Sequence, residues 1–263
     1  MKRAGTTLRA VAIVPARLGS TRLPRKMLLC ESGRFLFEHT VRGVRRAHAL
    51  ERVVLATDSE EIRAAARGLE VEVVMTSERH QSGTDRVHEA FETLVKQGAG
   101  PFDVVLNVQG DEPEVNGATF DPLIAAFADP AVEMASLCTP LTDLAAANDP
   151  SVVKVVLDRN GDALYFSRAP IPGLSPAFKD RAPGPFLRHI GVYAFRPAAL
   201  RAFVALPRGT HEVTESLEQL RWLEAGKKIR LLEATEGSVG IDTPEHYQAF
   251  LARERARSLG KTT

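Results

Sequence analysis

Four short apolar runs, at 11–14, 53–57, 71–75 and 103–109, alternate with stretches of helical periodicity. This constrains the fold more than any other feature, because strand, helix and parallel strand in succession close into one sheet through right-handed crossovers. The runs are rich in Val, Ile and Leu, as strands covered on both faces must be. Between them, 35–50 sets Leu36, Thr40, Val44 and Ala47 at helical spacing with Arg42, Arg45 and Arg46 on the other side. Asp58-Ser59 before Glu60-Glu61 signals the N-terminus of a helix reaching about 68. Further helices are expected at 84–96 and 118–128. The fold class is therefore α/β, a Rossmann-like, mostly parallel sheet flanked by helices.

The second half changes character. Runs at 152–157 and 163–167 flank Asp158-Arg-Asn-Gly-Asp162, an Asn-Gly hairpin signal, so antiparallel pairing and a smaller mixed lobe are expected. A strand at 187–195, helices at 198–206 and 214–225, a strand at 229–233 and a last helix from about 244 complete the reading. The proline-rich stretch 169–186 reads as a long surface loop and a candidate lid. The chain reads as one domain over 1–263, with a nucleotide-binding half at about 10–150, a lobe at about 151–235 and a return to the main sheet at about 236–263.

Charge excludes some functions. With 34 basic and 33 acidic residues the formal net charge is +1, so no global field favours nucleic acid or an anionic membrane. Cys30 and Cys138 match neither a disulfide framework nor a zinc spacing. There is no apolar leader core at the start and no run of about twenty apolar residues. A cytoplasmic enzyme is the expectation.

The basic residues gather locally, in Val11-Ala-Ile-Val-Pro-Ala-Arg-Leu-Gly-Ser-Thr-Arg-Leu-Pro-Arg-Lys26. Pro15 is expected to end the first strand, since proline cannot donate to the ladder. Gly19-Ser20-Thr21 then allows a tight loop whose N–H groups and hydroxyls face an anion. Arg17, Arg22, Arg25 and Lys26 supply compensating charge at the carboxyl edge of the sheet, where ligands bind in open α/β folds. The Gly-Lys-Ser/Thr of a Walker loop and the glycines of a dinucleotide fingerprint are absent. At the same edge, Gln109-Gly110-Asp111-Glu112 follows the fourth strand, and Gly240-Ile-Asp242-Thr-Pro precedes the last helix. Carboxylates opposite a triphosphate are hard-oxygen ligands suited to Mg²⁺. His80-Gln-Ser-Gly-Thr-Asp-Arg86 opens a helix whose backbone donors can approach a base or a phosphate.

Together with Ser167-Arg-Ala-Pro-Ile-Pro172, Arg188-His-Ile-Gly-Val-Tyr193 and Leu217-Glu-Gln-Leu-Arg221, these segments resemble, in order, those of 3-deoxy-manno-octulosonate (Kdo) cytidylyltransferases, the CMP-Kdo synthetases of the sugar nucleotidyltransferase superfamily. The resemblance runs from about residue 11 to 244. It departs at Arg25, where the family often has Gly, and at Met27, where Pro is common. It implies a nucleotide-diphospho-sugar transferase-like fold and transfer of CMP from CTP to the anomeric hydroxyl of Kdo, with Mg²⁺ as cofactor, for lipopolysaccharide biosynthesis. Arg17, Arg22, Lys26, Asp111 and Asp242 are the catalytic candidates, the two acids holding the metal. The nucleotide set is Pro15, Ala16, Arg17, Ser20, Thr21, Arg22, Lys26, Gln81, Ser82 and Gly83, the last three on the base side. In the sugar set, Arg168 and His189 hold the carboxylate, while Gln109, Tyr193, Glu218 and Gln219 read hydroxyls. A homodimer through the second lobe is also implied, with no nucleic-acid or membrane partner. The rival readings are a cytidylyltransferase for another acidic sugar, such as 8-amino-Kdo or a nonulosonate, and a non-catalytic nucleotide-binding protein on the same scaffold.

Overall fold

The computed structural model describes residues 8–20, 22–174, 186–235, 237 and 239–259 of the 263. The chain divides into two compact units, one of Arg9–Pro101, Asn107–Ala118 and Ser238–Thr263, the other of Met1–Leu8, Phe102–Leu106 and Thr119–Gly237. The long segment of the second unit starts at Thr119, where the sequence reading began its lobe at about 151, and it includes a strand that reading passed over, at 134–140, which pairs with later strands of the unit.

In the first unit β1 (Ala10–Ala16), α1 (Leu36–Val44), β2 (Leu50–Thr57), α2 (Glu60–Ala65), β3 (Glu72–Met75) and α3 (Gly83–Lys96) alternate, and the strands lie parallel in the order β3-β2-β1. All seven residues of β1 are buried, as a strand covered on both faces requires. Pro15 does not end this strand. It pairs in register with Ala56, Ala16 pairs with Thr57, and the Pro15 carbonyl accepts from Gly110 N at 3.2 Å. Proline removes one donor from a ladder but keeps its acceptor, so the terminal turn of a strand tolerates it. The first helix stops at Val44 instead of near 50, since Leu50 is already paired with Ala10. Ser59 caps α2 through Ile62 N at 3.3 Å, and Ser82 caps α3 through Asp85 N at 3.1 Å. Each cap satisfies an orphan donor, at a typical gain of about 1 kcal/mol.

β4 (Val104–Val108) carries the chain out of one unit and back into the other. The second unit holds α4 (Phe120–Ala125), β5 (Met134–Pro140), α5 (Leu144–Ala147), β6 (Lys154–Leu157), β7 (Ala163–Ser167), β8 (Leu187–Phe195), α6 (Pro197–Ala205), α7 (Thr210–Glu215), α8 (Leu220–Glu224) and β9 (Arg230–Glu233). Its pairing is mixed: β5 is antiparallel to β8 and parallel to β9, and the β6–β7 hairpin pairs antiparallel with β8 through β6. The helix expected over 214–225 is two helices, α7 and α8, because Ser216 takes the left-handed conformation at φ +52° and ends the first. Lys154, fully buried, gives its ammonium to three main-chain carbonyls, those of Asp149 at 3.0 Å, Val152 at 2.5 Å and Arg168 at 2.6 Å. Of the candidate lid, 175–185 lies outside the described residues.

The C-terminal helix α9 (Pro244–Leu259) returns to the first unit. There Tyr247, Phe250 and Leu251 pack with Ile241, Leu23 and Leu36 into a closed apolar cluster, which holds 241–242 against the loop after β1. Exposed charge adds to the dock: Arg253 forks onto Glu114, and Arg257 reaches the same carboxylate at 2.8 Å. Among the described residues no helix is long and apolar enough to cross a membrane.

Candidate active site

After β1 the chain leaves the sheet through Arg17 to Pro24 and enters a 3₁₀ turn at Lys26–Leu28, with Arg25 in the left-handed region at φ +56°. That turn points Lys26 inward, leaving it 8 % exposed. Its Nζ lies 2.5 Å from Asp111 Oδ2, 2.9 Å from Asp242 Oδ1 and 3.0 Å from the Ile241 carbonyl. The two acids stand 131 positions apart in sequence, yet their backbones are joined directly, since Ile241 N donates to Asp111 O at 2.8 Å. Arg22 Nη2 approaches Asp242 Oδ1 at 3.1 Å. Burial works to lower the Lys26 pKa, and Asp111 and Asp242 more than reverse it, leaving it raised. Burial likewise opposes ionisation of Asp242, but the hydrogen bond and charge of Lys26, with Arg22, hold its pKa below the usual value. Lys26 and Asp242 thus each favour the other's charged form.

The same cleft is lined by Pro15, Arg17, Ser20, Gln81, Ser82, Gly83 and Gln109. The nucleotide candidates are thus brought together around the Lys26 cluster with two exceptions. Ala16 is fully buried in β1, and Thr21 lies outside the described residues. Gln109, expected on the sugar side, faces the nucleotide segment: its Nε2 donates to Asn107 Oδ1 at 2.9 Å, and a Cβ on Gly83 would come within 3.0 Å of its Oε1. Gly19 is a different kind of glycine, because a Cβ there would meet no protein atom within 4 Å. The sequence reading missed Arg86 and His80 as cleft residues. Arg86, 3 % exposed, binds Thr76 Oγ1 and Asp58 Oδ2, each at 2.5 Å, and so ties together the loops after β2 and β3. A long cation four residues past the Ser82 cap, on the buried side of α3, was the available signal. His80 Nε2 pairs with Glu89.

The remaining sugar candidates belong to the second unit, and their geometry differs from the expectation. Arg168 does not hold an open fork: its guanidinium donates to the carbonyls of Glu215 at 2.8 Å, Pro150 at 2.9 Å and Ser216 at 3.4 Å, while Glu215 accepts from Arg168 N and Ser167 Oγ. His189 is 7 % exposed, with Nε2 2.8 Å from Ser136 Oγ and its ring 4.8 Å from Phe166 and 5.5 Å from Tyr193. Ser136 has one hydroxyl proton and aims it at the carbonyls of β8, Val192 O lying 2.7 Å away, so His189 is the donor to Ser136. Burial, with Arg188 nearby, pushes the His189 pKa down to about 3. A neutral imidazole cannot serve as the cation for a carboxylate. Glu218 and Gln219 stand in the turn between α7 and α8 rather than on a helix. Gln219 is 2 % exposed, and its Nε2 has no hydrogen-bond partner among the described residues.

The chain is similar to known cytidylyltransferases over most of its length. The cytidylyltransferase family model matches residues 11–229. A 3-deoxy-manno-octulosonate cytidylyltransferase of Nitratidesulfovibrio vulgaris is 47% identical over 239 residues, covering 91% of this chain and 93% of the relative. One of Porphyromonas gingivalis is 42% identical over 255 residues, covering 95% and 98%. Among solved structures, a CMP:2-keto-3-deoxy-manno-octonic acid synthetase complexed with CTP superposes with a TM-score of 0.85 at 37% identity, over 95% of this chain and 99% of that one. The loop after β1, the paired acids and the matched length carry one conclusion: the chain belongs to the 3-deoxy-manno-octulosonate cytidylyltransferase family.

Proposed function

We propose that the protein transfers CMP from CTP to the anomeric hydroxyl of Kdo, releasing pyrophosphate and giving CMP-Kdo for lipopolysaccharide biosynthesis. The observation that carries this reading is the meeting of Lys26, Asp111 and Asp242 in a cleft also lined by Arg17, Arg22 and Gln81 to Gly83, in a chain so similar to enzymes of that name. Arg17, Arg22 and Lys26 neutralise the triphosphate and the departing pyrophosphate, favouring the transition state in which charge moves onto the leaving group. Gln81, Ser82 and Gly83 face the base.

The donor set fits a hard divalent cation, because two carboxylate oxygens already converge on one cationic atom, Lys26 Nζ. Among the described residues no cage of three or more His, Cys, Asp or Glu is present, which suits a metal that shares phosphate and water oxygens. Asp111 and Asp242 would hold a magnesium ion, which would supply Lewis-acid charge to the phosphates and lower the pKa of the attacking hydroxyl. Asp111 is the fallback acceptor for that hydroxyl proton.

On the sugar side, Tyr193, Glu218, Gln219 and the neutral His189 read hydroxyls, and Gln109 does so from the cleft. Arg168 takes the carboxylate with N–H groups beyond the three given to main-chain carbonyls. The buried Nε2 of Gln219, without a partner among the described residues, favours a ligand acceptor in that position, since such a donor is costly to leave unmade. The protein works as a cytoplasmic homodimer. Pyrophosphate release from CTP, with Kdo, 8-amino-Kdo and a nonulosonate in turn and with and without Mg²⁺, tests the reading. No release with any sugar leaves the non-catalytic alternative. Release with another sugar alone reassigns the acceptor, and release without a divalent cation removes the metal. Sedimentation at assay concentration tests the dimer.

A further inference from the structure

An ammonium has three N–H donors, and all three of those on Lys26 have a partner inside the cluster: Asp111 Oδ2, Asp242 Oδ1 and Ile241 O. In this arrangement Lys26 has no donor left for a phosphate. The two carboxylate oxygens it holds are also the ones a divalent cation needs. Lys26 can contact a triphosphate only by releasing at least one acid, and a metal can use both acids only if the ammonium moves off them. With 8 % of the residue exposed, the ammonium is held by these three partners rather than by solvent. Arg22, at 3.1 Å from Asp242, adds a second positive group that resists an incoming cation. A polyanion reverses the balance, because it offers Lys26 and Arg22 new acceptors as they leave the acids.

We propose that Lys26 is a resident counter-cation that holds Asp111 and Asp242 until metal and nucleoside triphosphate enter together, when it transfers to the phosphate oxygens. The proposal rests on the assignment of the two acids to the metal. It makes metal binding conditional on the triphosphate, and so selects a metal–nucleotide complex over the free ion. It also gives Lys26 a role beyond phosphate contact, one that is visible before any chemistry takes place.

The test is Mn²⁺ binding on the full chain without Kdo, read from the loss of the free-ion electron paramagnetic resonance signal beyond what the same CTP removes in the absence of protein. The wild type is expected to bind Mn²⁺ weakly alone and tightly with CTP. Lys26→Met removes the charge and keeps the length, so Mn²⁺ alone is expected to bind about tenfold or more tighter, with CTP adding less. Lys26→Arg is expected to remain like the wild type in the absence of CTP. Unchanged or weaker Mn²⁺ binding by Lys26→Met overturns the proposal. If Lys26→Met lacks a cooperative thermal transition, Lys26→Gln takes its place under the same criterion. Asp111→Asn/Asp242→Asn separates the two levels of the argument. If that double variant still binds Mn²⁺ tightly with CTP, the metal assignment itself falls, whatever Lys26 does. If it loses Mn²⁺ while Lys26→Met gains nothing, only the counter-cation role falls.

Discussion

Among the described residues each unit buries one lysine, and the two are held by different sets of partners. Lys26 is held by two side-chain carboxylates, which can rotate or change partner, and by one main-chain carbonyl, that of Ile241. Lys154 is surrounded by three main-chain carbonyls, which cannot leave without moving the chain. The difference shows in their charge balance. Carboxylates overcome burial and raise the pKa of Lys26, whereas burial prevails at Lys154 and lowers it despite Asp149. One cation is placed for exchange and the other for fixation. Arg168 sides with Lys154: its carbonyl caps that ammonium while its guanidinium crosses to Pro150, Glu215 and Ser216, so one knot fixes the start of β6, the end of β7 and the end of α7.

Substitutions can break this contrast. The largest effect is expected for Asp111→Asn and Asp242→Asn, each lowering turnover by about 10³-fold or more while the thermal transition stays near that of the wild type. A folded variant with near-native rate at saturating Mg²⁺ removes that acid from the exchangeable set. Next, Lys154→Met removes the donor shared by three part-buried carbonyls, of which only that of Asp149 keeps another, Val152 N, and is expected to cost on the order of 3 kcal/mol in urea unfolding, against a much smaller loss for Lys26→Met. Equal losses would erase the distinction between the two lysines.

A pH titration probes the fixed side further. The unfolded His189 takes a proton below about 6.5, but the folded one resists until about 3, so the unfolded chain binds more protons in that window. Stability should therefore fall as pH drops from 6.5, with His189 contributing up to about 1.4 kcal/mol per unit. His189→Gln should flatten the profile, and an unchanged slope would show that the imidazole is protonated in the fold. On the exchangeable side, Gly19→Ala meets no protein atom, so stability should hold within about 0.5 kcal/mol while CTP binding weakens. Unchanged CTP affinity would mean that the nucleotide stays clear of Gly19. The smallest effect is expected for Arg25→Gly. It relieves a left-handed backbone and loses only an exposed pair with Glu61, so the melting temperature should hold or rise. A clear fall would make that pair structural.

What was legible in the sequence follows the same division. The parallel unit repeats one local rule, apolar run then amphipathic helix, and the loop after β1 carries its charges in a row. Even the departure at Arg25 has a backbone reason, since glycine is the residue that most easily takes φ +56°. Less legible was β5, whose Ser136 and Thr139 break an apolar run. Ser136 is polar because β8 shifts register opposite it and leaves carbonyls for its hydroxyl. The break between α7 and α8 was hidden for a related reason: the carbonyls of Glu215 and Ser216 that end α7 are claimed by Arg168, 47 and 48 residues away. Spacing cannot reveal a partner at that distance. It could not reveal the neutral state of His189 either, because protonation follows from burial rather than from residue type.

The backbone bond from Ile241 to Asp111 has a consequence for how the protein comes into being. During synthesis the loop, the first acid and the whole second unit are joined to the chain before position 242. A nascent or proteolytically shortened chain ending at 240 carries Lys26 and Asp111 but lacks the segment that closes the pair. Its lysine then has one acid instead of two. If Asp242 is catalytic, competence waits on a chain that has reached that position, and loss of the segment after 240 is expected to silence turnover while sparing every element before it.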